Sequence, residues 1–421
     1  MFTDNYCETA DLSLAPTGHQ KIEWVKSSMP VLSSIHRRFS AEKPLNGLDI
    51  SISIHLEAKT AYFAHVLAAG GANVRVTGCN PLSTQDDVAA ALADDGFCVN
   101  ALHGASPAEY RRHLTRTLEN KPQIIVDDGG DLVNILHEDR PDLAARVIAG
   151  CEETTTGVHR LRARSAAGKL QFPMIAVNDA GSKHLFDNRY GTGQSVWDAI
   201  MHTTNRMVTG KTVVVAGYGF CGRGIAKNAR GLGASVIVTE VAPHAALEAV
   251  MDGNRVMTMR EAAPLGDIFI TATGCRDVIT KEHFARMKDD VLLCNAGHFD
   301  VEVSVRDLRE MAVSCVERRE NIVGYQMPDG RTLNVLGEGR LVNLAAGNGH
   351  PAEIMDMSFG LQALCVEFAA KHGIELPAGQ VIDVPYALDE QIARLKLAAV
   401  GASIDTLTEA QHAYLNGWHV E

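Results

Sequence analysis

The sequence predicts an α/β protein of two doubly wound parallel-sheet domains with a helical C-terminal arm. Three observations carry that prediction. Apolar strand-like runs alternate with helix-like stretches through both halves of the chain, the pattern of repeated βαβ units. The apolar run in "VVVAGYGFCGRG" (213–224) breaks into glycines and then continues as a helix. Finally, 421 residues are more than one ordinary core accommodates.

Taken in order, "GLDISISI" and "AKTAYFAHVLAAGG" read as strand then helix, and "ANVRVTGC" as the next strand. "STQDDVAAALADDG" has helical spacing after a Ser/Thr start, and "PQIIVDDGGD" is an apolar strand stopped by acids and glycines. Ligands of parallel sheets sit at the carboxyl ends of strands, which singles out His55, Cys79–Asn80, Asp127–Asp128 and Asn178–Asp179. A second series over 211–345 has the strands "KTVVVAG", "ASVIVTE", "DIFITATG" and "DVLLCNAG". "GHPAEIMDMSFGLQALCVEFAAKHG" then predicts a long buried helix. The final "LDEQIARLKLAAVGASIDTLTEAQHAYLNGWHVE" predicts two short helices, an arm suited to packing on another subunit.

Composition narrows the function classes. Hydrophobic residues at 46% and charged residues at 21% fit a soluble globular chain. A net charge of −12 argues against nucleic acid and anionic membranes as partners. The start, "MFTDNYCETADLS", carries acids where a secretory leader has Lys or Arg, and no run approaches the ~18 apolar residues of a membrane span. Nine cysteines stand singly, without a CxxC pair or a Cys/His cluster at zinc spacing. No metal site is expected, and the thiols read as reduced in a cytoplasmic protein.

Gly217, Gly219 and Gly222 have Gly-x-Gly-x-x-Gly spacing after the apolar strand Val213–Ala216, and "GRGIAKNARGLG" opens a helix with its own Gly stop. Glycines there permit a tight turn and let backbone N–H groups and the helix N-terminus approach a pyrophosphate. The next strand, "SVIVTE", ends on Glu240, about twenty residues on, where an acid bonds the adenosine ribose hydroxyls and repels a 2′-phosphate. Glycines also mark ordinary turns; the strand before and the acid after make this an NAD loop.

Just before that unit stands "VNDAGSKHLFDNRYGTGQS". Lys183 and Asp187 are four apart, so on a helix they share a face, with Asn178 and Asn188 flanking them. By spacing alone this is an exposed ion pair worth a few tenths of a kcal/mol. Its company shifts the balance: "VDDGGD", "CEETTTGVHRL", "CNAGHFD" and "NLAAGNGHP" each set acids, Thr, Asn or His beside glycines after a strand. His55, His298 and His350 all fall at strand or turn ends.

Together with "NPLSTQDD", "FDNRYG" and "GEGRLVNLAAGNGHP", these segments resemble the signatures of the S-adenosylhomocysteine hydrolase (adenosylhomocysteinase) family, in order from "DLSLAPTG" to "LTEAQHAYL". The resemblance implies a substrate domain over 1–187 completed by 349–385, a Rossmann NAD domain over 188–348, and an oligomerisation arm over 386–421, in a homotetramer or dimer. It implies NAD-dependent, reversible hydrolysis of S-adenosylhomocysteine to adenosine and homocysteine, through transient oxidation at the ribose 3′-carbon. It also implies the site. Lys183, held by Asp187, is the expected base for the 3′-OH, its pKa lowered by burial. Glu153 binds ribose hydroxyls, Asn178 sets Lys183, and Asp128, His55 and His298 share the remaining proton transfers. Glu57, Lys59, Thr60, His350, Met355 and Phe359 surround the purine. Thr154, Thr155, Thr156, Asn188, Gly217, Gly219, Phe220, Cys221, Gly222, Glu240, Asn295 and Asn343 contact NAD.

The chain departs from the common pattern in four places. "HLEAKT" puts Glu57 and Lys59 where many members have Thr and Glu, as in an archaeal and thermophilic-bacterial branch. A carboxylate accepts from the adenine amine, whereas an ammonium only donates and suits the hypoxanthine O6, so this departure bears on which base is recognised. Thr192 replaces a familiar Cys, Ala242 replaces an Asp, and "GWHVE" lacks a Lys- and Tyr-bearing extension, so cofactor retention is expected to be weaker or organised differently. The same residues would serve a paralogue that stops part-way, for instance eliminating water from a 5′-hydroxyl to leave an exocyclic alkene. A plain NAD dehydrogenase would release NADH stoichiometrically. A non-catalytic NAD-sensing protein would not need Lys183, Asp128, His55 and His298 together.

Overall fold

Apolar, β-branched runs set the strands, and two sheets result in the computed structural model, which describes residues 7–418. The first six residues of the substrate domain and the last three of the arm lie outside the described residues. The first half supplies β1 (Asp49–Ser53), β2 (Asn73–Thr77), β3 (Cys98–Asn100), β4 (Ile124–Asp127), β5 (Ala149–Glu152) and β6 (Met174–Ala176). The second series supplies β7 (Thr212–Ala216), β8 (Ser235–Thr239), β9 (Arg255–Val256), β10 (Ile268–Thr271), β11 (Val291–Asn295), β12 (Ser314–Arg319), β13 (Ile322–Gln326) and β14 (Thr332–Leu336). A late strand, β15 (Val381–Asp383), returns to β6.

The first sheet has the order β15-β6-β5-β4-β1-β2-β3, with every pair parallel. Its middle strands are buried on both faces, which explains their near-continuous apolar runs. The helix Ala352–His372 packs into this domain, so the long apolar helix crosses back from the second half. The second sheet has the order β12-β13-β14-β11-β10-β7-β8-β9. It is parallel from β14 to β9, as a doubly wound domain requires, and β12 and β13 extend it antiparallel at the β14 edge. Short turns such as "PDG" link β13 and β14 directly and leave no room for a crossover helix.

The arm is corrected. The helix Tyr386–Ala399 belongs to its own substrate domain: Leu388, Ile392 and Leu395 form an apolar stripe packed into that core, and Ile392 is fully buried. The Asp389 carboxylate accepts the N–H groups of Gly181 and Ser182, both at 2.8 Å, and Lys396 pairs with buried Asp356 at 2.9 Å. Only the stretch after this helix stands away, and the helix Glu409–Asn416 buries no side chain.

The expectation of nine reduced thiols fails at one pair, because Cys7 and Cys98 are joined. Glu8 pairs with the edge of β3, its N–H donating to the Val99 carbonyl at 2.9 Å, and this sets the two cysteines side by side. No described helix is long and apolar enough to cross a membrane.

Candidate active site

A cavity of about 1010 Å³ opens where the carboxyl ends of the two sheets face each other. One wall comes from residues following β1, β4 and β5, together with the segment after β6; the other comes from the glycine loop after β7 and the loops after β8, β10 and β11. The strand-end rule therefore brings residues more than 200 positions apart to one space.

Lys183 is the centre of the first wall. Its Nζ donates to Asn188 Oδ1 at 2.8 Å and lies 3.5 Å from both Asp187 Oδ1 and Glu153 Oε1. The pair does not use an ordinary helix face: Lys183 ends the turn Gly181–Lys183, and His184–Gly191 is a π-helix. The wider turn lets residues 183, 187 and 188 converge, an arrangement that recurs at functional sites. Burial pushes the Lys183 ammonium toward neutrality, but the carboxylates of Asp187, Glu153 and Asp128 outweigh it, so its pKa is raised. This reverses the expectation that burial alone would lower it.

The neighbours are held in turn. Asp187 accepts from Ser358 Oγ at 2.6 Å and lies 2.8 Å from His350 Nδ1. Burial opposes its charge, yet Lys183 and His350 keep its carboxyl well below the usual range. Glu153 accepts from Gln362 at 2.6 Å through Oε2, while its buried Oε1 accepts no hydrogen bond. Burial raises its pKa to about 7 against the pull of Lys183. Ser358 and Gln362 were missed in the sequence because they sit in a helix that reads as core; their signal is polarity on an otherwise apolar surface.

A second cluster lies beside the first. Asp128 has His55 Nε2 at 3.6 Å on one oxygen and His298 Nδ1 at 3.7 Å on the other. Potential ligand atoms of these three residues lie within 4.8 Å of one another, a grouping able to hold a metal ion that sequence spacing did not reveal. Desolvation by burial takes the His55 imidazole down to about 4, despite the opposing Asp128 charge. Ser83 Oγ, 2.6 Å from His55 Nδ1, fixes the ring.

At the purine end expected from the sequence, Lys59 Nζ lies 2.8 Å from Glu57 Oε2 and donates to the Asn348 carbonyl at 3.1 Å. Thr60 bonds the His55 carbonyl at 2.6 Å, and Phe359 stacks on Phe63 with centroids 5.2 Å apart. Met355, Phe359 and His350 all line the cavity, and His350 Nε2 reaches Thr192 Oγ1 at 3.2 Å.

The second wall tests whether a dinucleotide fits. Gly217 has φ +93°, and a Cβ there would meet the Ala272 carbonyl at 2.6 Å. A Cβ on Gly222 would stand 1.9 Å from the Gly217 oxygen, whereas one on Gly219 would meet nothing within 4 Å. The loop is thus folded by its first and third glycines and open at the second, where a pyrophosphate approaches the N-terminus of the helix Phe220–Gly231. Glu240 accepts from the Tyr218 N–H at 2.6 Å, which joins the turn to the end of β8. The buried Asn343 Oδ1 also lacks a hydrogen-bond partner. NAD fits this wall.

Thr154, Thr155, Thr156, Asn188, Gly217, Gly219, Phe220, Cys221, Glu240 and Asn343 border the cavity, and three other residues singled out in the sequence do not. Asn295 is fully buried and satisfied by Thr271, Gly297 and Phe299, so it shapes the loop after β11 rather than facing a ligand. Gly222 acts through close packing. Asn178 stands behind Asn188, accepting its Nδ2 at 3.0 Å.

Two parallel-sheet domains, a dinucleotide loop on one and a buried lysine–carboxylate cluster on the other define an NAD-dependent enzyme that acts on a small molecule held between them. Residues 6–149 match the family model "S-adenosyl-L-homocysteine hydrolase" and residues 188–349 match "S-adenosyl-L-homocysteine hydrolase, NAD binding domain". An S-inosyl-L-homocysteine hydrolase of Methanopyrus kandleri is 55% identical over 97% of this chain and 96% of its own. An adenosylhomocysteinase of Thermococcus kodakarensis is 55% identical over 99% and 98%, and one of Aquifex aeolicus is 53% identical over 98% and 99%. The chain belongs to the S-adenosyl-L-homocysteine hydrolase family, and NAD is its cofactor.

Proposed function

We propose that this enzyme reversibly hydrolyses S-adenosylhomocysteine to adenosine and homocysteine. The observation that supports this most is the pairing, in one cavity, of a lysine–carboxylate cluster with an aspartate between two histidines. An unactivated thioether offers a base nothing to remove. When bound, NAD supplies a reversible hydride acceptor for the ribose 3′-carbon, which makes the 4′-hydrogen acidic.

Lys183 takes the 3′-hydroxyl proton, and Asp187, shared with His350, receives the charge that lysine carries. Its raised pKa means that the resting group is an ammonium; Lys183 first loses one proton to solvent, then takes the 3′-hydroxyl proton, and the ammonium so re-formed stabilises developing charge at O3′. Glu153, with Oε1 lacking a hydrogen bond, accepts from a ribose hydroxyl. Asp128 removes the 4′-proton, and the departing 5′-thiolate is protonated by the histidine flanking it. Neutral His55, with its depressed pKa, is suited to accept a proton from the water that adds back. These assignments, the domain limits revised to end the substrate domain at the helix Tyr386–Ala399, and assembly into a homotetramer or dimer form one proposal.

A second reading concerns the base, and the Lys59–Glu57 pair favours it. A donor beside an acceptor serves adenine through N1 and the 6-amine, and serves hypoxanthine through O6 and N1–H. S-Inosylhomocysteine is therefore a substrate of the same site. Incubation with each thioether, with homocysteine read by a thiol reagent and the nucleoside by mass, tests both readings. Release of homocysteine from S-adenosylhomocysteine supports the first; release from the inosine thioether alone replaces it with the second. Turnover of a 5′-hydroxyl nucleoside to an alkene, without homocysteine release from either thioether, overturns both.

A further inference from the structure

We propose that Arg160 is a positioning residue that fixes His298 against Asp128 by tying the loop after β4 to the loop after β11. The inference rests on the proposed reaction and deepens it. Arg160 lies on the helix Thr155–Ala166 of the substrate domain, outside the groups assigned to proton transfer. Its Nη1 donates to the Gly129 carbonyl at 2.9 Å, immediately after Asp128, and lies 3.4 Å from Asp131 Oδ1. Its guanidinium also covers the Phe299 ring, 4.2 Å from the centroid, on the loop after β11 of the NAD domain. One planar cation thus holds the aspartate loop by its edge and the histidine loop by its face, a combination that lysine cannot reproduce.

Both held loops are shaped for this contact. A Cβ on Gly129, at φ +110°, would lie 2.4 Å from His298 Nε2, so a bare backbone there lets the imidazole approach. The Gly129 N–H donates to buried Glu152 at 2.9 Å, which anchors the aspartate loop from beneath. Across the cavity, Asn295 Nδ2 donates to the Phe299 carbonyl at 2.8 Å, and the Phe299 ring stands edge-on to His298 with centroids 4.6 Å apart. Movement of Phe299 away from Arg160 therefore carries His298 away from Asp128. Lys183, Asp187 and Asn188 lie on a different segment, tied to the helices Ala352–His372 and Tyr386–Ala399, and do not depend on this clamp.

The consequence is a split between half-reactions. In Arg160→Lys and Arg160→Ala, 3′-oxidation, read as absorbance of reduced bound NAD after nucleoside addition, stays within about twofold of wild type. Exchange of the nucleoside 4′-hydrogen with deuterated solvent falls roughly ten- to a hundredfold, the scale expected when a reacting group is misplaced by about an ångström. Phe299→Leu, which keeps apolar volume, gives the same selective loss, and the double variant Arg160→Lys/Phe299→Leu loses little more than either single one. In the protein without substrate, peptides spanning 296–303 exchange backbone amides faster in each variant. Equal loss of both half-reactions, no loss of either, or additive effects of the two substitutions overturns the clamp. A wild-type enzyme that fails to reduce its NAD with any purine nucleoside overturns the proposed function instead.

Discussion

Lys183 carries the proposed oxidation, and its setting makes the test sharp. Lys183→Ala is expected to lower the rate of 3′-oxidation by about 10²- to 10⁴-fold, the range of a positioned base, while NAD content by extraction stays near wild type. His55 makes a separate prediction about pH. Its imidazole sits at about 4 in the fold against 6.5 when free, so between those values the unfolded chain binds a proton that the native state refuses. Native stability therefore falls as pH drops through that window, by on the order of 3 kcal/mol in total. Glu153, raised to about 7, acts in the opposite sense, retaining in the fold a proton that the unfolded chain releases above 4.5. His55→Gln isolates the first effect: its melting temperature should fall less between pH 7 and pH 5 than that of wild type. An unchanged pH dependence would remove the buried neutral histidine from the account.

Elements explain why single residues meet. The glycine turn, the strand before it and Glu240 were legible because each obeys a local rule of backbone freedom, period or spacing. The π-turn at His184–Gly191 was not, since its sequence has ordinary helical spacing and the register is set by packing against the helix Ala352–His372. Lys183 and Asp187 thus stand side by side as their spacing suggests, although on a different kind of turn and with the lysine shift in the opposite direction. Two substitutions test these elements. Gly222→Ala places a Cβ 1.9 Å from the Gly217 oxygen, which must displace the turn; NAD content should drop severely while the first domain's melting is little changed. Asp389→Ala removes the acceptor of two N–H groups at the start of the Lys183 turn. Loss of such a cap costs about 1–2 kcal/mol, read by urea denaturation, and 3′-oxidation should slow with it. No effect on oxidation would mean that the turn holds without the last helix.

At the scale of the molecule, the chain interleaves its domains: the first sheet receives β15 and two helices from the far end, so the active cavity is closed by residues from both ends of the sequence. Alternation of strands and helices revealed the two sheets, but it held no signal for Arg160 meeting Phe299 or for Asp389 reaching back to Gly181. Those contacts join segments separated by more than a hundred residues, and each side chain alone is an ordinary surface charge or loop aromatic. The boundary of the arm was missed for the same reason. The helix Tyr386–Ala399 has the short, mixed composition of an appendage, and only its stripe of Leu388, Ile392 and Leu395 marks it as core. The segment beyond this helix is different: Val400, Ile404, Leu407, Tyr414 and Leu415 are all exposed within one chain, an unfavourable arrangement for a monomer. If assembly into a homotetramer or dimer buries them, removal of residues 400 onward should lower the sedimentation coefficient at micromolar concentration. The isolated subunit should keep its far-ultraviolet circular dichroism, because the substrate domain retains its last helix. A truncated chain that sediments as wild type would show that another surface holds the subunits together. One that unfolds would show that this segment packs on its own subunit.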